Sequence, residues 1–222
     1  MEAAATRETL LDAAESVFRD RGVAHATLAE IAAAAGVTRG AVYWHFRDKS
    51  ELFEALCQRV QLPMEAMLAR AGETRHADPL AALRALAING LKRLATDPHT
   101  QAVFDVIFHK CELAGDALSV QRRQHTADSG CLVNVERLLK QAVAKGQLPR
   151  DTDTELAAHC MSAFMVGVMH EWVQAPDAYD LERAAPKMID ALIAGLKTRP
   201  PRRAAATPRA AIPRRQRATA AP

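Results

Sequence analysis

The sequence predicts an all-α protein of about nine helices, with three short helices at the N-terminus and a larger helical domain after them. Apolar residues recur at intervals of three and four along most of the 222-residue chain, which is the period of an α-helix. Hydrophobic residues make up 49% of the chain but aromatic residues only 5%. Alanine, the strongest helix former, is abundant. No segment alternates as a half-buried strand does, so we expect no β-sheet.

Capping signals divide the first fifty residues into three helices. Gly22 has the position of a glycine that ends the first helix. Thr27 and Glu30 have the spacing of a capping box at the start of the second. Thr38 is expected to cap the third helix, and Asp48 to cap a fourth with a glutamate three residues later. Residues 1–47 are therefore predicted to form one small domain.

The rest of the chain is predicted to form one larger helical domain, residues 48–198, and a tail. Asp-Pro pairs, Gly146 and a Leu-Pro-Arg-Asp turn separate its helices. Pro63 lies inside the fourth helix, where we expect a kink. The later helices are expected at 78–95, 97–113, 116–145, 153–174 and 181–197. Residues 199–222 are rich in Arg, Pro and Ala without periodicity, which predicts disorder.

Composition excludes several classes of protein. No apolar run approaches the roughly 18 residues of a membrane span, and the N-terminus carries no secretory signal, so we expect a cytoplasmic protein without membrane contact. The four cysteines form no CxxC pair, so no zinc ribbon is expected, and we predict reduced, largely buried thiols. A redox-sensing thiol is the alternative. No clustered nucleophile, base or metal set suggests an enzyme or a cofactor.

Net charge does not by itself indicate nucleic-acid binding. The formal charge is +3, but seven arginines and no acidic residue follow Thr198, so residues 1–198 carry −4. An Arg-rich tail can bind nucleic acid, and a solvated extension is the alternative. The case for DNA binding therefore depends on a motif.

Residues 27–46 have the pattern of a helix-turn-helix. Ala32 is a small residue where two helices would meet, Gly36 would make the turn, and Val42 would anchor the second helix from its inner face. On the opposite face lie Gly40, which would let the backbone approach DNA, and Arg39, which can bind a guanine edge. The alternative for the aromatic run at 43–46 is an ordinary core between helices.

The run TLAEIAAAAGVTRGAVYWHFRDKSELF resembles the TetR family of transcriptional repressors, with the match extending from about Thr6 to Leu56. The resemblance implies that Arg39 and its neighbours contact bases. It implies that the phosphate contacts come from Thr27, Thr38, Tyr43, His45 and Lys49. Gly40 and the exposed face of Trp44 complete the predicted DNA-binding set, although Trp44 could instead pack on the fourth helix.

Within the family, the YWHF variant, HKCE at His109–Glu112 and the turn at Gln147–Pro149 resemble multidrug-efflux-pump repressors of the AcrR/TtgR type. This resemblance implies a drug pocket behind the fourth helix. The residues expected near it are Leu86, Phe104, Ile107, Phe108, Cys131, Val135, Met165, Val166, Met169 and His170. Apolar walls with few polar groups suit flat hydrophobic compounds. The alternative is that these residues only pack helices together.

Two further expectations concern the larger domain. His109 is predicted to be an interhelical histidine with satisfied hydrogen bonds, with a ligand contact as the alternative. The last two helices carry more apolar surface than a terminal hairpin needs, which predicts a homodimer built as a four-helix bundle. The predicted interface residues are Met161, Phe164, Val168, Trp172, Ile189, Leu192 and Leu196.

The expected function is that of a dimeric repressor that binds a palindromic, double-stranded operator and is released by a small hydrophobic inducer. Control of a multidrug efflux operon is the favoured hypothesis. The alternative is a regulator of the same family that senses a metabolite or signalling molecule and controls other genes. No cofactor or metal is expected in either case.

Overall fold

The computed structural model describes residues 2–110 and 117–203 of the chain, with side chains from residue 4 to 110 and from 130 to 203. The described part contains nine α-helices. They are α1 (Glu2–Arg21), α2 (Leu28–Ala34), α3 (Arg39–His45), α4 (Lys49–Glu73), α5 (Pro79–Thr96), α6 (Pro98–Asp105), α7 (Ala117–Ala144), α8 (Thr154–Gln174) and α9 (Leu181–Thr198). None of these helices combines the length and the apolar composition needed to cross a bilayer.

The N-terminal helices begin and end where the capping signals predict. Gly22 has a φ of +76°, in the left-handed region that a C-terminal glycine favours. The Thr27 hydroxyl accepts a hydrogen bond from the Glu30 backbone, and the Glu30 carboxylate accepts one from the Thr27 backbone, so the capping box forms. Asp48 caps α4 by accepting from the Glu51 backbone. The Glu51 carboxylate also accepts a hydrogen bond from the backbone N–H of Arg47 at 2.7 Å.

One hydrophobic core joins the small domain to the large one. Leu10, Leu11 and Phe18 of α1 are buried, and the Phe18 ring meets Phe53 of α4 edge to face at 5.7 Å. Val42 of α3 belongs to the same buried cluster as the side chains of α5 to α9. Because α4 contributes to both parts, a shift of this helix changes the packing of the DNA-binding helices.

The sixth helix differs from the prediction. The sequence predicts a helix to about residue 113, but its α-helical part ends at Asp105 and one turn of π-helix, Val106–Lys110, follows. Residues 111–116 lie outside the described part of the chain. The wider π turn changes the direction of the side chains after Asp105, and single π turns occur frequently at functional sites.

The start of the tail is docked on the protein. The backbone N–H of Asp153 donates to the Pro201 carbonyl at 2.8 Å, and that of Arg203 donates to the Asp151 carbonyl at 3.0 Å. The Arg202 guanidinium also lies 2.9 Å from the Asp151 carboxylate. The prediction of disorder from residue 199 is therefore wrong for residues 199–203, because backbone pairing requires no apolar stripe. Residues 204–222 lie outside the described part.

Candidate nucleic-acid interface and ligand site

The α3 helix is anchored on one face and exposed on the other. Val42 and Phe46 are buried and belong to the core cluster that also contains side chains of α1, α2 and α4. Arg39 and Gly40 are exposed, and Tyr43 and Trp44 keep 48% and 74% of their surface exposed. Trp44 therefore does not pack on α4, and the aromatic run is not an ordinary core. Such large exposed rings on one short helix indicate a contact surface.

Arg39 is held in place by its neighbour one helical turn away. Its guanidinium lies over the Tyr43 ring, 5.6 Å from the ring centroid, and donates a hydrogen bond to the Tyr43 hydroxyl at 3.3 Å. A cation over an aromatic face is attracted by the ring quadrupole. This contact limits the conformations of Arg39 before any partner binds, which lowers the entropic cost of binding a base edge.

The two threonines beside the turn are cap residues. The Thr38 hydroxyl accepts from the Ala41 backbone at 3.2 Å, and the Thr27 hydroxyl donates to the Glu30 carboxylate at 2.9 Å. Hydrogen bonds from the side chain and backbone of Thr27 lower the pKa of Glu30. They outweigh the opposing effect of burial, and the charge of Arg21 lowers the pKa further. Both hydroxyls thus have a structural role within their own helices, and their phosphate contacts stay a prediction.

Lys49 has a structural contact that the sequence did not reveal. Its ammonium group donates to the carbonyls of Ala24 at 2.8 Å and Ala26 at 3.0 Å, in the loop between α1 and α2. Lys49 thus joins the start of α4 to the loop that leads into the helix-turn-helix. An ammonium group has three N–H donors, so one remains for a phosphate. His45 is half-buried, with its ring 4.7 Å from that of Trp44, edge to face.

A cluster of charges connects α4 with α1 and α6. The Arg59 guanidinium donates to Asp12 at 2.6 Å and to Glu15 at 2.9 Å, and Glu8 lies 3.6 Å away. Glu15 also meets His99 of α6, with the Nδ1 atom 3.0 Å from a carboxylate oxygen. Burial lowers the pKa of Arg59, but its hydrogen bond with Asp12 and the surrounding carboxylates outweigh burial, so the pKa is raised.

A second connection runs from the π turn to the DNA-binding domain. The backbone N–H of Val23, in the loop after α1, donates to the Lys110 carbonyl at 3.0 Å. This is the loop whose carbonyls Lys49 also holds. The last residue of the π turn is therefore tied by one hydrogen bond to the segment that positions α2 and α3.

Four rings on α6, the π turn and α8 form a continuous cluster. Phe104 stacks on Phe108 with centroids 5.6 Å apart, and Phe108 meets His170 edge to face at 5.2 Å. His170 in turn lies 5.3 Å from His109. The structure thus brings together three of the predicted ligand residues, and it places them directly beside the turn that reaches Val23.

The other seven predicted ligand residues differ in their burial. Val135 and Met169 are buried, whereas Leu86, Ile107, Cys131 and Met165 are half-buried around the core. Val166 is 49% exposed on the outer face of α8, so the prediction that it lines an inner wall is wrong. The helical period correctly indicated an apolar residue there but not the direction it faces.

Gly90 lies where three helices come together, and its role was not expected from the sequence. A Cβ atom at this position would lie 3.2 Å from the Met64 methyl and 3.7 Å from that of Met165. Gly90 therefore lets side chains of α4 and α8 approach the α5 backbone. A glycine inside a helical pattern was the signal that could have indicated this close approach.

The predicted dimer interface needs correction. Met161, Val168, Trp172, Ile189 and Leu196 are already buried within the single chain, so they have no surface to offer a partner. Much of the α9 apolar face lies against α5 of the same chain. Among the seven predicted residues, partial exposure remains at Phe164 and Leu192.

His109 and two of the thiols also differ from expectation. The His109 Nδ1 atom lies 2.9 Å from the Asp105 carboxylate, but its buried Nε2 atom has no hydrogen-bond partner in the described structure, so the expectation of full satisfaction is wrong. Cys57 is buried as expected, but Cys160 is exposed and Cys131 half-buried. No group of metal-ligating side chains occurs among the described residues.

Two family models match the chain. Residues 10–56 match the bacterial regulatory proteins of the tetR family, and residues 78–198 match the C-terminal region of MAATS-type transcriptional repressors. The transcriptional regulator TtgR of Pseudomonas putida is 39% identical over 190 residues, covering 85% of this chain and 90% of TtgR. This chain belongs to the TetR family. TetR-family proteins are DNA-binding regulators and not enzymes, and repressors of the family bind operator DNA as dimers.

Solved structures agree with this TetR-family assignment. NalD, the secondary repressor of the MexAB-OprM multidrug efflux pump in Pseudomonas aeruginosa, superposes with a TM-score of 0.80 at 29% identity, covering 89% of this chain and 98% of NalD. The complex of SmeT with triclosan superposes with a TM-score of 0.79 at 35% identity, covering 86% of this chain and 91% of SmeT. SmeT is the repressor of the Stenotrophomonas maltophilia pump SmeDEF.

Proposed function

We propose that this TetR-family protein is a homodimeric repressor that binds a palindromic operator of a multidrug efflux operon and leaves it when a hydrophobic drug binds. The observation that carries the DNA-binding part is the exposed face of α3, with Arg39, Tyr43 and Trp44 outward and Val42 buried behind them. The pump assignment is supported by NalD and SmeT, both of which repress multidrug efflux pumps.

The α3 face suits the major groove. Arg39 donates to a guanine edge, and Gly40 beside it leaves room for the backbone to approach the bases. Tyr43, His45 and the third N–H of Lys49 donate to phosphates, as does the Thr38 hydroxyl at its cap. The Thr27 hydroxyl donates to a phosphate only when its hydrogen leaves the Glu30 carboxylate. Such phosphate contacts position a protein on DNA without selecting a sequence. The exposed Trp44 ring adds apolar contact area.

The outer face of α8 is the better candidate for the dimer interface. Leu156 and Val166 are each about half exposed there, and the small residues Ala163 and Gly167 are exposed on the same side of the helix. Small residues let a second helix approach closely, and apolar neighbours supply buried area. A two-fold axis through this face would place the α8 helices of two subunits against each other.

Drug binding would act through the π turn and α4. A ligand beside Phe104 and Phe108 contacts the turn whose last carbonyl holds Val23. A ligand close to Met64 contacts the half of α4 that follows Arg59. Both routes end at the loop held by Lys49. A ligand that binds more tightly when the π turn adopts another arrangement therefore weakens DNA binding. The weakening equals the ratio of the ligand's affinities for the two arrangements.

Selection from genomic DNA tests this proposal. Sheared DNA from the source organism is incubated with the full-length protein, and the retained fragments are sequenced. We expect a palindromic site upstream of an efflux operon, and we expect Arg39→Ala to lose selectivity at one base pair per half-site, a cost of about 1–3 kcal/mol. Retained sites confined to genes of metabolic enzymes would contradict the pump assignment, and retention without any common site would contradict sequence-specific binding.

A further inference from the structure

The π turn carries a buried nitrogen that has no hydrogen-bond partner among the described residues. The His109 Nε2 atom is buried without a hydrogen bond in the described residues, whereas the Nδ1 atom of the same ring lies 2.9 Å from the Asp105 carboxylate. Leaving a buried polar atom unpaired costs free energy that most buried groups avoid. The His109 ring is oriented by the contact at Nδ1, and its unpaired Nε2 atom is therefore available to a bound ligand.

Asp105 determines what that partner must be. A carboxylate oxygen accepts hydrogen bonds, so the Nδ1 atom carries a ring hydrogen, and an imidazole with a single ring hydrogen carries it there. The Nε2 atom then presents a lone pair, and it needs a donor. Asp105 and His109 are one turn apart around the start of the π-helix, so the turn itself sets the direction of the ring.

The surroundings of this acceptor are aromatic. His170 lies 5.3 Å from His109 and 5.2 Å from Phe108, and Phe104 stacks on Phe108. Aromatic rings favour offset-stacked and edge-to-face neighbours. The cluster thus combines flat apolar surfaces with one hydrogen-bond acceptor at its end.

We propose that His109 is a specificity-determining residue of the sensor site, and that it selects aromatic ligands carrying a phenolic hydroxyl, whose O–H donates to the Nε2 atom. This inference rests on the proposed function, since it concerns the ligand that releases the repressor. A phenol brings a neutral donor and a flat ring. A cationic aromatic compound would need a free carboxylate to offset its desolvation, and Asp105 is already engaged by Nδ1.

Triclosan and its methyl ether are the probes that test this assignment, because they differ only in the phenolic O–H. Their dissociation constants are measured by calorimetry with the full-length dimer. We expect the wild-type protein to bind triclosan about tenfold more tightly than the ether, as a buried hydrogen bond typically provides. In His109→Phe this ratio should fall to about one, with the affinity for the ether unchanged.

Two variants accompany the measurement. His25→Phe makes the same change at an exposed histidine in the loop between α1 and α2, and it should keep the wild-type ratio. Asp105→Asn is nearly isosteric, but its amide allows either ring tautomer, so the ratio should fall at least twofold even if His109→Phe does not fold. Equal binding of the two compounds by the wild type, no binding of triclosan, or an unchanged ratio in both His109→Phe and Asp105→Asn would overturn the proposal.

The outcome separates this inference from the proposed function. If cationic dyes release the protein from its operator but triclosan does not bind, the proposed function is supported and the phenol assignment is refuted. A repressor that binds triclosan through His109 but does not control a pump supports the assignment and refutes the pump.

Discussion

Replacing Arg59 by methionine tests the connection between α1 and α4 that holds the DNA-binding helices on the sensor domain. The change removes two charge-assisted hydrogen bonds, to Asp12 and Glu15, and keeps most of the apolar stem of the side chain. It leaves Glu15, whose side chain is only 13% exposed, without its strongest partner. Asp12 and Glu8 are more than half exposed and return to water at little cost.

The magnitude follows from this difference in exposure. Removing one partner of a fully buried ion pair costs about 3–5 kcal/mol. Here Arg59 keeps 21% of its side chain exposed, and only Glu15 is left nearly buried. His99 remains beside Glu15 and offsets part of the loss. We therefore expect the free energy of unfolding to fall by about 2 kcal/mol.

Urea unfolding at pH 7, followed by circular dichroism, measures this loss. Glu8→Gln is the matched control, because its 3.6 Å contact with Arg59 is long and exposed, and it should change stability by less than about 0.5 kcal/mol. A change of less than about 0.5 kcal/mol for Arg59→Met as well would refute the view that this cluster holds α1 on α4.

Three further predictions concern the loop, the tail and acid stability. Lys49→Met should reduce the free energy of unfolding by about 1 kcal/mol, because the hydrogen bonds to the loop carbonyls are lost. It should also lower the slope of the logarithm of the DNA-binding constant against the logarithm of salt concentration by about one unit. An unchanged slope would show that Lys49 contacts the loop but no phosphate. Deletion of 204–222 should leave the melting temperature unchanged but weaken non-specific DNA binding at low salt, whereas deletion of 199–222 should also lower the melting temperature, because 199–203 are docked. Burial raises the pKa of Asp97, but hydrogen bonds, chiefly from Thr100, outweigh it and lower the pKa below 3.8. The stabilisation that ionised Asp97 gives the folded state is thus present above pH 3.8 and is lost as pH falls through the lowered pKa. The difference in the free energy of unfolding between pH 7 and pH 3 should therefore be smaller for Asp97→Asn than for the wild type.

The boundaries of the N-terminal helices and the helix-turn-helix could be predicted from the sequence because their signals are local. Thr27, Glu30 and Thr38 act within one turn of their own helix, and Val42 faces inward because of the helical period. The exposed face of α3 follows from the same period. These features depend on few residues that are close in sequence.

The remaining features depend on contacts between distant parts of the chain. The Arg59 cluster joins residues more than forty positions apart, and no spacing indicates it. A helical period shows that α9 has an apolar face, but not whether α5 of the same chain or a second subunit covers it. The docked residues 199–203 are held mainly by backbone hydrogen bonds, which composition does not reveal.

Ligand-released repression is tested most directly by whether drug and operator weaken each other's binding at equilibrium. Anisotropy of a labelled operator gives its dissociation constant with and without saturating triclosan, and calorimetry gives the constant for triclosan with and without operator. We expect triclosan to weaken operator binding by about 5- to 150-fold, and operator to weaken triclosan binding by the same factor. Triclosan that binds the protein but leaves operator affinity unchanged would contradict ligand-released repression by this compound.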